Sequence, residues 1–188
     1  IEELNYEHLF LEKQNSKAEI EQFILSTEYK NVYMLPSSES LCDIIYKIYD
    51  KTKEPVNNTD ERPELIFEKN LRLIENDFDY IFLDAPAGVD AGFRLATRYS
   101  DRILLVTGPG PAAIRDAARV GELLELMGKQ NTRLIVNRVR KDMLSAVRIT
   151  IDDVMDTSGL PLMGVVLEDP NVTLAASFGK PLLRYAKR

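Results

Sequence analysis

Four short apolar runs, YIFLD (80–84), RILLVT (102–107), TRLIVN (132–137) and LMGVVL (162–167), follow one another through the chain with helix-patterned segments between them. None alternates apolar with polar residues as a strand with one wet face does. Continuous runs of this kind suit strands buried on both faces, and helical connections of this length imply right-handed crossovers. The pattern therefore predicts an α/β fold: a mostly parallel sheet with helices on both faces. The intervening helices are expected over roughly 89–99, 112–127 and 150–158, with boundaries good to about 2–4 residues.

The chain before these runs is less regular. A polar helix is expected up to about Lys30, with Ile20, Phe23 and Ile24 as its apolar residues and Ser16 with Glu19 as a capping box. NVYMLP (31–36) reads as a short strand and SESLCDIIYKIYD (38–50) as a helix. KTKEPVNNTDERP (51–63) is the one loop cluster and is expected to be mobile. Pro63 then opens a helix whose Phe67, Leu71 and Ile74 share a face. In the helix after residue 111, Ala113, Ala117, Val120, Leu124 and Met127 read as the core face, and Arg115, Asp116 and Arg119 as solvated charges.

Composition narrows the function classes. The 188 residues are 45% hydrophobic and 29% charged, enough for one substantial core, and the expected organisation is a single domain. A net charge of −6 gives no broad footprint for nucleic acid or an anionic membrane. Cys42 is the only cysteine, so no internal disulfide forms, which suits a reducing cytosol. No run of about 18 apolar residues spans a bilayer, and no leader is visible. The expected location is cytoplasmic. Because the sequence opens on Ile1 and stops at RYAKR, the chain is expected to be a fragment.

In a parallel sheet, ligands sit outside the carboxyl ends of the strands. Those ends read Asp84-Ala-Pro-Ala-Gly88, Thr107-Gly-Pro-Gly110, Asn137-Arg-Val-Arg140 and Leu167-Glu-Asp-Pro170. An aspartate closing a buried strand is suited to hold a magnesium-bound water beside phosphates, and equally to cap the next helix. Pro86-Ala87-Gly88 favours the first reading, since a glycine there lets a backbone N–H approach a terminal phosphate. TGPGP (107–111) reads as a rigid turn, because Pro109 and Pro111 have no N–H to give. Asn137 offers an amide suited to an adenine edge, or a turn; Glu168-Asp169-Pro170 fits the rim or a helix entry. His8 reads as solvent-facing and Cys42 as core.

The blocks DYIFLDAPAGVDAGFRLATRYSDRILLVT, AIRDAARVGELL, LIVNRVR, MLSAVRITIDDVMD, LPLMGVV and FGKPLL follow one another as in the MinD branch of the ParA/MinD family of P-loop ATPases. The resemblance covers about residues 64–184 in unbroken order; NVYMLPSS resembles the preceding strand, and the first 30 residues match loosely. It implies an incomplete P-loop NTPase domain over 1–188, with 1–63 its N-terminal portion and 64–184 carrying Walker B, switch II and the adenine pocket. The activity implied is ATP hydrolysis with ATP and Mg2+, in a protein that places the division septum. Carried over by position, Asp84 resembles the Walker B aspartate that holds Mg2+ through water. Pro86, Ala87 and Gly88 resemble the switch II turn, with Asp84 and Gly88 the catalytic pair. Asn137, Arg138, Leu167, Glu168 and Asp169 resemble the adenine pocket. The implied partners are a second copy in the ATP state, a septation inhibitor, a topological-specificity protein and the inner membrane surface through a C-terminal helix. Nucleic acid is not among them, so a DNA-segregating ParA is disfavoured. The implied location is cytoplasmic and peripheral on the inner face of the membrane.

The sequence departs from this pattern in several places. All nine glycines lie at Gly88 or later, so no KGGxGKT-type Walker A loop is present. As written, the chain is expected not to hydrolyse ATP, and the missing strand beside YIFLD is expected to leave it aggregation-prone. Leu167 stands where proline is usual before the acidic pair, and Ala118 where the RDADR pattern has its second aspartate. LLRYAKR gives only a hint of the membrane helix, in Arg184, Lys187 and Arg188. The alternatives are a degenerate, non-hydrolysing scaffold of the same fold, or a flagellar-number-type ATPase. Nitrogenase-type iron proteins are set aside, since no cysteine follows Cys42.

Overall fold

A computed structural model describes Leu9 and residues 16–36, 63–140 and 150–186 of the chain. The expected helix over 38–50, most of the 51–63 loop, His8, Cys42, Lys187 and Arg188 lie outside the described residues. The chain forms two compact units, Ile1–Ser100 and Asp101–Arg188.

In the first unit, α1 (Lys17–Glu21) starts at Ser16 as expected, but the Ser16 side chain makes no capping hydrogen bond. This five-residue helix is held by other means: Ile20 and Phe23 are buried, and Lys17 Nζ lies 2.7 Å from Asp77 Oδ1. β1 (Leu25–Ser26) and β2 (Tyr33–Met34) pair antiparallel, closed by Thr27 Oγ1 donating to the Val32 carbonyl at 2.7 Å. The NVYMLP strand is thus two residues long and belongs to a hairpin of its own. α2 (Pro63–Arg72) starts at the proline, as expected. Its Phe67 and Leu71 join Ile74, Ile20, Phe23, Leu9 and Leu95 in one core, and buried Asn70 donates from Nδ2 to the Leu9 carbonyl at 2.9 Å. α3 (Ala91–Tyr99) contributes buried Phe93 and Leu95.

The run YIFLD between α2 and α3 corrects the sequence reading. Residues 80–86 form no strand, and Tyr80 and Phe82 are 76% and 85% exposed, their rings 6.3 Å apart. A strand exists only through a hydrogen-bonded neighbour, and among the described residues this run has none.

The second unit carries the parallel sheet. β3 (Ile103–Thr107), β4 (Thr132–Val139) and β5 (Leu162–Leu167) lie in the order β3-β4-β5, with Leu105 opposite Leu134 and Val136 opposite Val165. The connections run through α4 (Pro111–Leu126) and α5 (Ile151–Ser158). Ile114 and Ala117 of α4 and Val154 of α5 pack with Leu134, Val136 and Val139 of the central strand. The buried face of α4 is Ile114, Ala117, Gly121 and Leu124, while Ala113, Val120 and Met127 sit at its margins. It is rotated slightly from the expected stripe and includes Gly121, which lies against Leu160 so closely that a Cβ would fall 3.2 Å from Leu160 Cδ1. Alternate residues of the outer strands, Leu104, Val106, Met163 and Val165, are exposed. α6 (Pro170–Ser177) and α7 (Leu182–Tyr185) follow, with Phe178 and Tyr185 stacked 5.7 Å apart. Among the described residues, no helix is long and apolar enough to cross a membrane.

Candidate functional site

Asp84, Ala85, Pro86, Ala87 and Gly88 form an exposed segment of the first unit that bends from Ala87 onward. Gly88 has φ +102°, a conformation that an L side chain rarely adopts, with nothing within 4 Å of where a Cβ would stand. Backbone geometry, not crowding, demands glycine there. The turn feeds directly into α3. Asp90 caps that helix, accepting from the N–H of Gly92 at 3.1 Å and of Phe93 at 3.4 Å. Gly92 lies against the Pro86 ring: a Cβ at 92 would fall 2.6 Å from Pro86 Cγ and 3.0 Å from Cδ. Sequence reasoning passed over Asp90 and Gly92; an aspartate two residues before a glycine at a helix start was the available signal.

The other candidate residues lie in the second unit, at the carboxyl ends of neighbouring strands. Asn137 does not end its strand. β4 continues to Val139, but its pairing passes from Val136 opposite Val165 to Val139 opposite Leu167, three steps against two. The extra residue makes a bulge, in which Arg138 takes the left-handed conformation at φ 56° and its N–H donates to Asn137 Oδ1 at 2.9 Å. That bond uses one lone pair of the amide oxygen, and among the described residues the Asn137 NH2 group has no hydrogen-bond acceptor. Across the ladder, the Glu168 N–H donates to the Val139 carbonyl at 3.1 Å, and Arg140 Nε lies 3.6 Å from Glu168 Oε2. Asp169 is the N-cap of α6, accepting from the Asn171 N–H at 2.9 Å and from Asn171 Nδ2 at 2.8 Å. The structure thus brings Asn137, Arg138, Leu167, Glu168 and Asp169 to one rim, and the helix-entry reading of Asp169 holds.

The TGPGP segment is a rigid turn: Gly110 precedes Pro111 at the start of α4, and Thr107 Oγ1 donates to the Ala113 carbonyl at 3.0 Å.

In the first unit, Asp84 is an exposed carboxylate, a hard oxygen donor of the kind a hydrated Mg2+ takes, and Ala87 and Gly88 have backbone N–H groups of the kind that meet phosphate oxygens. In the second unit, taken by itself, the bulged rim has an amide donor at Asn137. A glycine-rich nest for the remaining phosphates is absent from the sequence, whose first glycine is Gly88.

Several known proteins are similar to this chain. A family model described as an AAA domain matches residues 1–137. The septum site-determining protein MinD of Synechocystis is 32% identical over 158 residues, covering 84% of this chain and 53% of that protein. In the solved MinC:MinD cell division protein complex of Aquifex aeolicus, the matching chain is 28% identical with a TM-score of 0.61, covering 84% of this chain and 67% of that one. The MinD of Pyrococcus horikoshii, solved in complex with Mg-ADP, shares the fold at a TM-score of 0.63 and 22% identity, covering 89% and 61%. The chain spans about half the length of the curated relatives it matches.

Proposed function

Because the chain belongs to the AAA-domain family, in its MinD-like ParA branch, we propose that it is the Walker B, switch II and adenine-pocket portion of a septum-site ATPase. On this reading residues 1–188 are part of a single P-loop ATPase domain. Its phosphate-binding loop is supplied by sequence other than these residues.

The observation that carries the proposal is the turn at 84–88. An exposed carboxylate stands four residues before a glycine at φ +102°, and the pair is followed at once by a capped helix. In the proposed mechanism, Asp84 would hold Mg2+ through water, and the ion would supply positive charge against the phosphates. Pro86 fixes the turn, and Ala87 and Gly88 present N–H groups to the terminal phosphate, so that the turn senses whether that phosphate is present. Asn137 and Arg138, with Leu167, Glu168 and Asp169, border the adenine. ATP and Mg2+ are the cofactors proposed, and bound Mg2+ would polarise the terminal phosphoryl group.

The same reading proposes a second copy of the chain as partner in the ATP state, and a septation inhibitor of the MinC kind and a topological-specificity protein as further partners. The MinC:MinD complex among the solved relatives supports the former. It also proposes a cytoplasmic protein that reaches the inner face of the membrane through a helix following α7. The 188 residues alone are proposed to be inactive, for want of the phosphate loop.

The test is magnesium-dependent ATP turnover by the complete protein. Asp84→Ala is expected to lower it by about 10–100-fold or more, the usual cost of losing a metal's outer partner. Turnover that survives the substitution unchanged would overturn the Walker B role. A complete protein that binds no nucleotide would point instead to the scaffold.

A further inference from the structure

We propose that Gly92 is a positioning residue for the Asp84–Gly88 turn: the missing side chain makes the first turn of α3 the seat on which the Pro86 ring rests. The proposal rests on the nucleotide-sensing reading of that turn and deepens it.

Two glycines among the described residues are close enough to a neighbour that a Cβ would crowd it. Gly121 meets Leu160 inside the second unit; Gly92 meets Pro86, a candidate-site residue. Conformation gives no reason for glycine at 92. The residue is in a helix, where alanine is preferred by up to about 1 kcal/mol, and its φ lies outside the left-handed region. Space does give a reason. The 2.6 Å and 3.0 Å separations are to carbons of a ring closed on the Pro86 backbone nitrogen; a change of pucker moves Cγ but holds Cδ on that nitrogen, so pucker alone does not clear both contacts.

A side chain at 92 must therefore move either α3 or the turn. α3 is the better anchored of the two. Asp90 caps it through the N–H groups of Gly92 and Phe93, and Phe93 and Leu95 are buried. The turn is exposed at every position from 84 to 88. The displacement consequently falls on Pro86 and on the N–H groups of Ala87 and Gly88 that follow it. Restoring ordinary contact requires a shift on the order of 1 Å, and a misplacement of that size costs on the order of 100-fold in rate where geometry matters.

The experiment is a double-variant cycle in the complete protein with Gly92→Ala, Pro86→Ala and both together. ATP turnover and the amide chemical shifts of Ala87 and Gly88 are measured for each. Gly92→Ala is expected to lower kcat on the order of 100-fold with KM little changed, and to move both amide resonances. In the Pro86→Ala background it is expected to add no further loss and no further change of shift, because the ring it would strike is gone. A general destabilisation by Gly92→Ala would give the same loss in both backgrounds, and that outcome overturns the proposal. So does the absence of any loss. If Gly92→Ala alone fails to fold, recovery of folding in the double variant supports the seat and continued failure overturns it. If the wild-type complete protein turns over no ATP, the functional reading fails, and the chemical-shift comparison still decides whether Gly92 positions the turn.

Discussion

At the residue scale, Arg138 carries the least comfortable backbone in the described structure outside glycine and the hairpin residue Asn31. Its φ of 56° costs an L residue about 1–2 kcal/mol, and the bulge keeps it because Asn137 Oδ1 accepts its N–H. A β-branched side chain suits that region worst. Arg138→Val is expected to destabilise the protein by about 1–2 kcal/mol in urea unfolding, whereas Arg138→Gly is expected to be close to neutral. Asp153 shows electrostatics of a different kind. Hydrogen bonds from the Thr150 backbone N–H, first, and from its hydroxyl hold the carboxyl below its ordinary value of 3.8. The folded state thus favours the ionised form. The contribution is complete at neutral pH and is lost as pH falls below about 3.8 through the lowered folded value. An NMR titration should find the Asp153 midpoint below 3.8, and Thr150→Ala should move it upward.

At the element scale, caps and packing divide the work. The capping box foreseen at Ser16 and Glu19 is absent, while Thr150 and Asp153 form one at α5. Both pairs have the right spacing. What differs is the helix: α5 is anchored by Val154 in the core and ends on Gly159 in the left-handed conformation, so both its ends are fixed. α1 is instead drawn towards Asp77 by Lys17. At α3, Asp90→Ala is expected to cost about 1 kcal/mol, measured as a shift in the urea midpoint. In the sheet, fully buried Leu134 belongs to the core that β4 forms with α4 and α5. Leu134→Ala is expected to cost about 2–5 kcal/mol, the range for a large-to-small change at a closed site.

At the scale of the molecule, apolar surface is left open. Tyr80 and Phe82 stand in a run with no strand neighbour among the described residues, and Leu104, Val106, Met163 and Val165 line an exposed sheet face. Unpaired backbone beside apolar side chains is a template for association. The isolated 188-residue chain is therefore expected to self-associate in sedimentation velocity and to unfold without a single sharp transition. A monomer with one clean two-state urea curve would contradict this. The complete protein is expected to lose that tendency.

The sequence by itself determined β3 and β5 to within a residue, β4 except for its last two residues, the helices between them and the parallel character of the sheet. Apolar runs and helical periodicity are local signals, and each run found its neighbour among the described residues. It also singled out the turn at 84–88, since a proline and a glycine restrict the backbone wherever they stand. Tertiary structure decided the rest. YIFLD has the pattern of a buried strand, but a strand is a relation between two segments and no partner is described for it. The bulge at Asn137 and Arg138 arises from the register of β4 on β5, which neither strand encodes alone. The seat of Pro86 on Gly92 is likewise a distance between two backbones, and a six-residue separation in sequence does not state it.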